Sequence, residues 1–282
     1  MKKFLFSLVA VLATLSGLKA QDVNQATDFY NNAVNFYSAG DLDSALKNFV
    51  KAHEIAKQCG EDGSEIVTDC ENNIPVLGNQ LAKSLASEGK YSEAVAKLNE
   101  VAGICASMGL ADQETKLKKM VPQFYMQQAN QAVKSKNYDE ALSAYDHVIA
   151  LDPSNGKALL NKGQILNSKG DSDGALAAFE SAMANGQEKA AKRQISNLFL
   201  KKAKAASAEK KYDMALEYSK KAISYDESEA NAYYLGGIAA QALKKNNEAI
   251  SLFEKYLELK PSSNNSQAVR QVVEALKKGN SK

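Results

Sequence analysis

The chain has 282 residues, 45% of them hydrophobic, with 35 Lys+Arg against 33 Asp+Glu, 16 Gly, 4 Pro, 3 Cys and no Trp. That composition excludes a disordered, collagen-like or disulfide-dense protein, and so few turn formers exclude an all-β sandwich or barrel. A formal charge of +2 gives no support to nucleic-acid binding, which leaves a much more basic footprint. Long stretches rich in Ala, Leu, Lys, Glu and Gln predict an all-α fold.

In chain order, Lys2 and Lys3 precede an apolar run from Phe4 to Leu18, and Ala20 stands before the polar sequence that begins at Gln21. Residues 1–20 therefore have the layout of a secretory signal peptide of bacterial type, cleaved near Ala20. Ser7, Thr14, Ser16 and Gly17 interrupt the run, and a spanning helix needs roughly 20 apolar residues, so cleavage is favoured over a retained anchor. The expectation is an exported chain, periplasmic or secreted, with no transmembrane span after cleavage.

Six segments then repeat one pattern: GDLDSALKNF from Gly40, GKYSEAVAKL from Gly89, KNYDEALSAY from Lys136, GDSDGALAAF from Gly170, KKYDMALEYS from Lys210 and KKNNEAISLF from Lys244. Their alanines, Ala45, Ala94, Ala141, Ala175, Ala215 and Ala249, are separated by 49, 47, 34, 40 and 34 residues. A recurring unit of this length predicts stacked helix pairs, because one pair buries only part of its apolar stripe and needs a neighbour. In the fourth unit Leu159, Gly163 and Leu166 mark the first helix, and Ala175, Phe179 and Ala182 the second. Small residues at 163 and 175 allow close approach, and Phe179 is expected to fill space left by the neighbouring unit. The two long spacings hold insertions near residues 58–74 and 105–121. Ser64 to Glu88 reads as one long helix kinked at Pro75. After Pro261 the stripe Ala268, Val269, Val272, Val273 and Leu276 predicts a capping helix. The expected divisions are 1–20, an irregular part 21–121, regular repeats 122–261 and a cap 262–282.

The pattern resembles the tetratricopeptide repeat family over roughly residues 26 to 261. The third unit carries it through Tyr125, Ala129, Tyr138, Ala141, Tyr145 and Pro153, and the sixth through Tyr233, Gly237, Ala249, Phe253 and Pro261. In the first unit Phe29, Ala33, Phe36, Ala45, Phe49 and Ala52 carry it. Gly78, Leu98 and Ser219 depart from it. The resemblance implies a right-handed superhelix of about six helix pairs whose first helices line a concave, peptide-holding groove. On those helices stand Gln123, Met126 and Asn130, then Lys157, Asn161 and Gln164, then Asn197, Lys201 and Lys204, with Tyr234 further along. Asn and Gln can donate to and accept from a peptide backbone at once. Asn130 and Asn161 match the two asparagines of the family's carboxylate clamp. Met126 and Asn197 stand where it has lysines, so the clamp is incomplete.

His53 and His147 have no partner at metal-ligand spacing and read as solvated helix residues. No phosphate loop, nucleophile elbow or HExxH occurs, so neither an enzyme nor a cofactor is proposed. Cys59, Cys70 and Cys105 leave two readings open, a Cys59–Cys70 bridge or small buried thiols. Residues 21–120 hold 9 basic and 15 acidic side chains, while 121–282 hold 23 and 18. Lys189, Lys192, Arg193, Lys201, Lys202, Lys204, Lys210, Lys211, Lys220 and Lys221 crowd the fifth unit, where an acidic surface could dock. The functional expectation is a non-enzymatic scaffold for a protein or peptide partner of the cell envelope. A module capturing glycan or another cell-surface polymer is the alternative.

Overall fold

The computed structural model describes residues 17–280, so most of the expected export signal lies outside the described residues. Those residues form fourteen α-helices and no strand. Two compact units divide at Leu151 and Asp152.

In the first unit, α1 (Gly17–Ser38) pairs with α2 (Leu42–Gln58), and α3 (Ser64–Ser87) with α4 (Tyr91–Ser107). The insertion after α4 folds as the short α5 (Ala111–Lys118), and α6 (Val121–Lys134) then pairs with α7 (Tyr138–Leu151). In the second unit α8 (Gly156–Lys169) pairs with α9 (Ser172–Ala182), α10 (Glu188–Ala208) with α11 (Tyr212–Tyr225), and α12 (Ala230–Ala242) with α13 (Asn246–Leu259). The cap, α14 (Ser266–Asn280), packs on α13. α3 has the predicted start and runs through Pro75, which is buried.

Burial explains the repeat. The six marker alanines are all 0% exposed, and the residues four further on, Phe49, Leu98, Tyr145, Phe179, Ser219 and Phe253, are all buried. Twelve residues before each alanine stands a small residue: Ala33, Ala82, Ala129, Gly163, Ala203 or Gly237. At Gly163 an added Cβ would lie 2.6 Å from the Phe179 ring, and at Gly237 it would lie 2.5 Å from Phe253. Phe179 thus packs on Gly163 of its own pair rather than filling a gap in the next unit. The ring needs the bare backbone to reach the helix axis closely.

The turns within the pairs share one geometry. Gly40, Gly89 and Gly170 have φ of +79° to +89°, and Lys136, Lys210 and Lys244 occupy the same place at +58° to +59°. In every turn the next residue donates its N–H to a carbonyl five residues back, as Asp41 does to Phe36 at 2.9 Å and Lys211 to Ala206 at 2.9 Å. This left-handed helix stop satisfies carbonyls that the helix end would otherwise orphan. Asp41 and Asp171 then cap the following helices by accepting from the backbone N–H of Ser44 and Gly174.

The six-residue insertion before the fifth unit becomes a kink at Met183–Gln187 with Gly186 at φ +82°. It also makes α10 a helix of 21 residues, against 14 in α8 and 13 in α12. The Asn185 carbonyl abuts Gly156 at the start of α8, where a Cβ would come within 2.0 Å of it. At the C-terminus, Tyr256 Oη and Ser263 Oγ lie 2.6 Å apart, and Ser266 Oγ donates to the Lys260 carbonyl at 2.7 Å. This network fixes the entry to α14. Val269 and Val273 of the cap are buried as expected, while Ala268 is exposed.

Candidate interaction face

In the second unit α10 packs against both α8 and α12, so equivalent positions of three first helices stand side by side. Lys157 and Gln164 of α8 are exposed and Asn161 is half-buried. On α10, Asn197, Lys201 and Lys204 are all exposed. Tyr234 of α12 is half-buried and packed inward, with its ring 6.4 Å from Phe253 and 5.1 Å from Tyr256. The structure therefore gathers six of the expected groove residues on adjacent helices and turns the seventh partly into the core.

The other three belong to α6 and the first unit. Gln123 is exposed and lines a cleft of about 240 Å³ with Lys83, Ser87, Met120, Phe124 and Gln127. Met126 is half-buried. Asn130 is exposed, but its Oδ1 accepts a hydrogen bond from Tyr145 Oη at 3.1 Å. That bond occupies the amide oxygen and leaves Nδ2 as the group that can donate elsewhere.

The basic character of the fifth unit is smaller than its lysine count suggests. Lys192 pairs with Glu188 at 2.6 Å, Lys202 with Asp173 at 3.2 Å, Lys211 with Glu209 at 2.7 Å, Lys221 with Glu217 at 2.7 Å, and Lys220 with Glu248. Lys189, Arg193, Lys201 and Lys204 are exposed and form no ion pair among the described residues. All four lie on α10, spaced by four, eight and three residues.

The added N-terminal turns of α10 face the loop between α11 and α12. Lys189, Lys192, Arg193, Tyr225, Asp226, Ser228 and Glu229 line a cleft of about 440 Å³. Asp226 Oδ1 accepts from Ser228 N at 3.0 Å and Ser228 Oγ at 2.6 Å, and Glu229 Oε1 accepts from Asn231 N at 3.0 Å. Sequence reasoning singled out the lysines and the arginine but missed the opposite wall. The signal for it was the insertion, which lengthens α10 until it reaches that loop.

In the first unit one expectation is corrected and one open alternative is decided. His53 is 2% exposed rather than solvated, because its α2 face meets α3, and Nε2 lies 3.3 Å from Glu71 Oε1. His147 is exposed, with its ring stacked on Tyr125 at 4.6 Å. Cys59, Cys70 and Cys105 are buried and none forms a disulfide among the described residues. Cys59 Sγ donates to the Ile55 carbonyl at 3.3 Å, so the bridge to Cys70 is not formed. Burial raises the Cys70 thiol well above its ordinary pKa and pushes Cys105 up to about 11. Burial, with the Asp69 carboxylate beside it, likewise raises the Tyr30 phenol. Tyr30 is 2% exposed, and Tyr37 is half-buried beside Gln80, so neither presents an open ring platform.

Among the described residues no three His, Cys, Asp or Glu side chains gather where they could hold a metal ion. No described helix is long and apolar enough to cross a membrane.

The chain matches the family model described as tetratricopeptide repeat over residues 126–190 and 200–264. The curated proteins contain no match. Among solved structures it is similar to MamA from Desulfovibrio magneticus, with 18% identity over 68% of this chain and 97% of that one and a TM-score of 0.36. It is similar to YrrB, described as a TPR protein with an unusual peptide-binding site, with 17% identity, coverage of 70% and 91% and a TM-score of 0.38. PilW, described as a widely conserved type IV pilus biogenesis factor, shares 19% identity, coverage of 70% and 98% and a TM-score of 0.36. The stretches matched to the tetratricopeptide repeat model lie on helix pairs that bury the same positions in each copy.

Proposed function

We propose that the chain is an exported, non-enzymatic scaffold that holds a peptide or protein of the cell envelope on the first-helix face of its repeats. One observation carries this reading: α8, α10 and α12 pack side by side and leave Lys157, Gln164, Asn197, Lys201 and Lys204 exposed. A stiff stack already holds these amides and ammonium groups in place, so an extended segment that binds them costs the protein little ordering entropy. The mechanism is a preorganised surface, and no bond is made or broken. Export rests on the layout of residues 1–20, and cleavage after Ala20 keeps the buried Val23, Ala26, Tyr30 and Ala33 on the mature chain.

The test is affinity capture from a cell-envelope extract with the mature chain, with an Asn161→Ala/Asn197→Ala variant and with an Asn130→Ala/Asn161→Ala variant. Specific partners that are recovered by the parent and depleted with the variants support the face. Equal recovery by all three chains removes these positions from the interaction. N-terminal sequencing of the exported protein reads Gln21 or a near neighbour if the signal is cleaved.

A further inference from the structure

The extension of α10 adds a feature that the family resemblance does not supply. Lys189, Arg193, Asn197, Lys201 and Lys204 are all exposed and follow one another at helical spacings of four, four, four and three. At 1.5 Å per residue the stripe is about 22 Å long, the span of about six or seven extended residues. Its cations have no carboxylate partner among the described residues, whereas the lysines on α11 are paired with Glu217 and Glu248. At the N-terminal end the stripe enters the cleft of about 440 Å³ beside Tyr225 and Ser228. The two carboxylates in that wall are held by their own loop, Asp226 by Ser228 and Glu229 by the N–H of Asn231. Neither carboxylate forms an ion pair with Lys189 or Arg193 among the described residues. The four cations are thus open to carboxylates from outside the unit.

Resting on the scaffold reading above, we infer that the partner segment is acidic and extended, with carboxylates at alternating positions that lie along α10 and enter the cleft at Lys189 and Arg193. The spacing selects this pattern. Alternate side chains of an extended strand recur about every 6.5 to 7 Å, and helix positions four apart recur about every 6 Å, so alternate side chains of the segment come level with Lys189, then Arg193, then Asn197, and then the Lys201–Lys204 pair. Asn197, in the middle, has the donor and acceptor to meet the backbone of the same segment. Side-chain carboxylates on Arg193 gain paired, charge-assisted hydrogen bonds that a diffuse surface charge would not provide.

The experiment uses the mature chain and three dye-labelled probes: acetyl-Glu-Ser-Glu-Ser-Glu-Ser-Glu-Ser, its Gln counterpart, and a block version with four Glu followed by four Ser. Fluorescence anisotropy is read for the parent, Lys189→Gln/Arg193→Gln, Lys201→Gln/Lys204→Gln and the charge-matched control Lys220→Gln/Lys221→Gln. The alternating Glu probe binds tightest, each α10 double variant weakens it about tenfold, and the control changes it less than about twofold. All the substituted side chains are exposed, and restoring charge with Lys189→Arg in place of Lys189→Gln recovers binding. Equal binding of the block and alternating probes, or an equal loss with the control, overturns the inference by showing a diffuse charge effect. Binding of the Gln probe as tight as that of the Glu probe also overturns it, while the scaffold reading stands or falls separately on capture through Asn161 and Asn197.

Discussion

The fourth and fifth repeats solve one packing problem in two ways. In the fourth, the Phe179 ring sits on the bare backbone of Gly163. In the fifth the equivalent positions are Ser219 and Ala203, both 0% exposed, and the Ser219 hydroxyl has no hydrogen-bond partner among the described residues. Aromatic volume returns from elsewhere, with Phe199 of α10 stacked 6.2 Å from Tyr218 and 6.0 Å from Tyr225, and Lys221 Nζ 5.7 Å above its ring. The small, buried first-helix position recurs in both repeats, while the buried aromatic ring stands on the second helix in the fourth repeat and on the first helix in the fifth. The fourth repeat keeps a short first helix with an ordinary loop. The fifth has a longer one, and the added length carries two of the four unpaired cations, Lys189 and Arg193.

The largest effect that can break this comparison is Phe179→Ala. It empties the site on Gly163 and costs about 3 to 5 kcal/mol, read as a lower urea midpoint. Gly163→Ala costs about 1 to 3 kcal/mol by overpacking against the ring, although alanine is the better helix former. Combined with Phe179→Leu, the glycine substitution costs less than the two effects added, which a double-mutant cycle measures. The fifth repeat behaves oppositely. Ser219→Ala removes a buried hydroxyl that has no partner and stabilises by about 1 kcal/mol. Lys210→Gly relieves a left-handed lysine and stabilises by about 1 kcal/mol, whereas Gly170→Lys at the matching turn destabilises by a similar amount. Thermal melts of Ser219→Ala, Lys210→Gly and Gly170→Lys check these signs.

The smallest effect concerns the buried thiols. Cys105 titrates at about 11 when folded, above its ordinary value near 9.0, so its stabilising contribution is complete below pH 9 and is lost as pH rises toward 11. Cys105→Ala should flatten the alkaline fall in Tm. In the native chain at pH 8, a thiol reagent should react with none of the three cysteines until denaturant is added.

The helix pairs were legible because period, turn and burial coincide. Each marker alanine sits where two helix axes meet, and that geometry tolerates little else. Lys136, Lys210 and Lys244 show where legibility was partial. The turn was readable from its place in the repeat, but a lysine at positive φ has no propensity signal and is imposed by the helices on either side. The burial of His53 and the absence of a Cys59–Cys70 bridge depend on how α2 meets α3, a contact between elements that residue spacing does not encode. For the interaction face, the equivalent positions on α8 and α10 followed from the repeat register. The wall formed by Tyr225 and Ser228 did not, because it exists only through the kink at Met183–Gln187. Half of the lysine cluster also proved to be ion-paired, and composition counts charges without their partners.

The central claim is that partners bind the first-helix face. Site-specific photo-crosslinking in the cell tests it most directly, with a benzophenone side chain placed at Asn197 or Lys201 on α10 and, for comparison, at the exposed Ala177 or Glu180 on α9. The account predicts discrete protein adducts from positions 197 and 201 and none from 177 and 180. Adducts from α9 alone would contradict it.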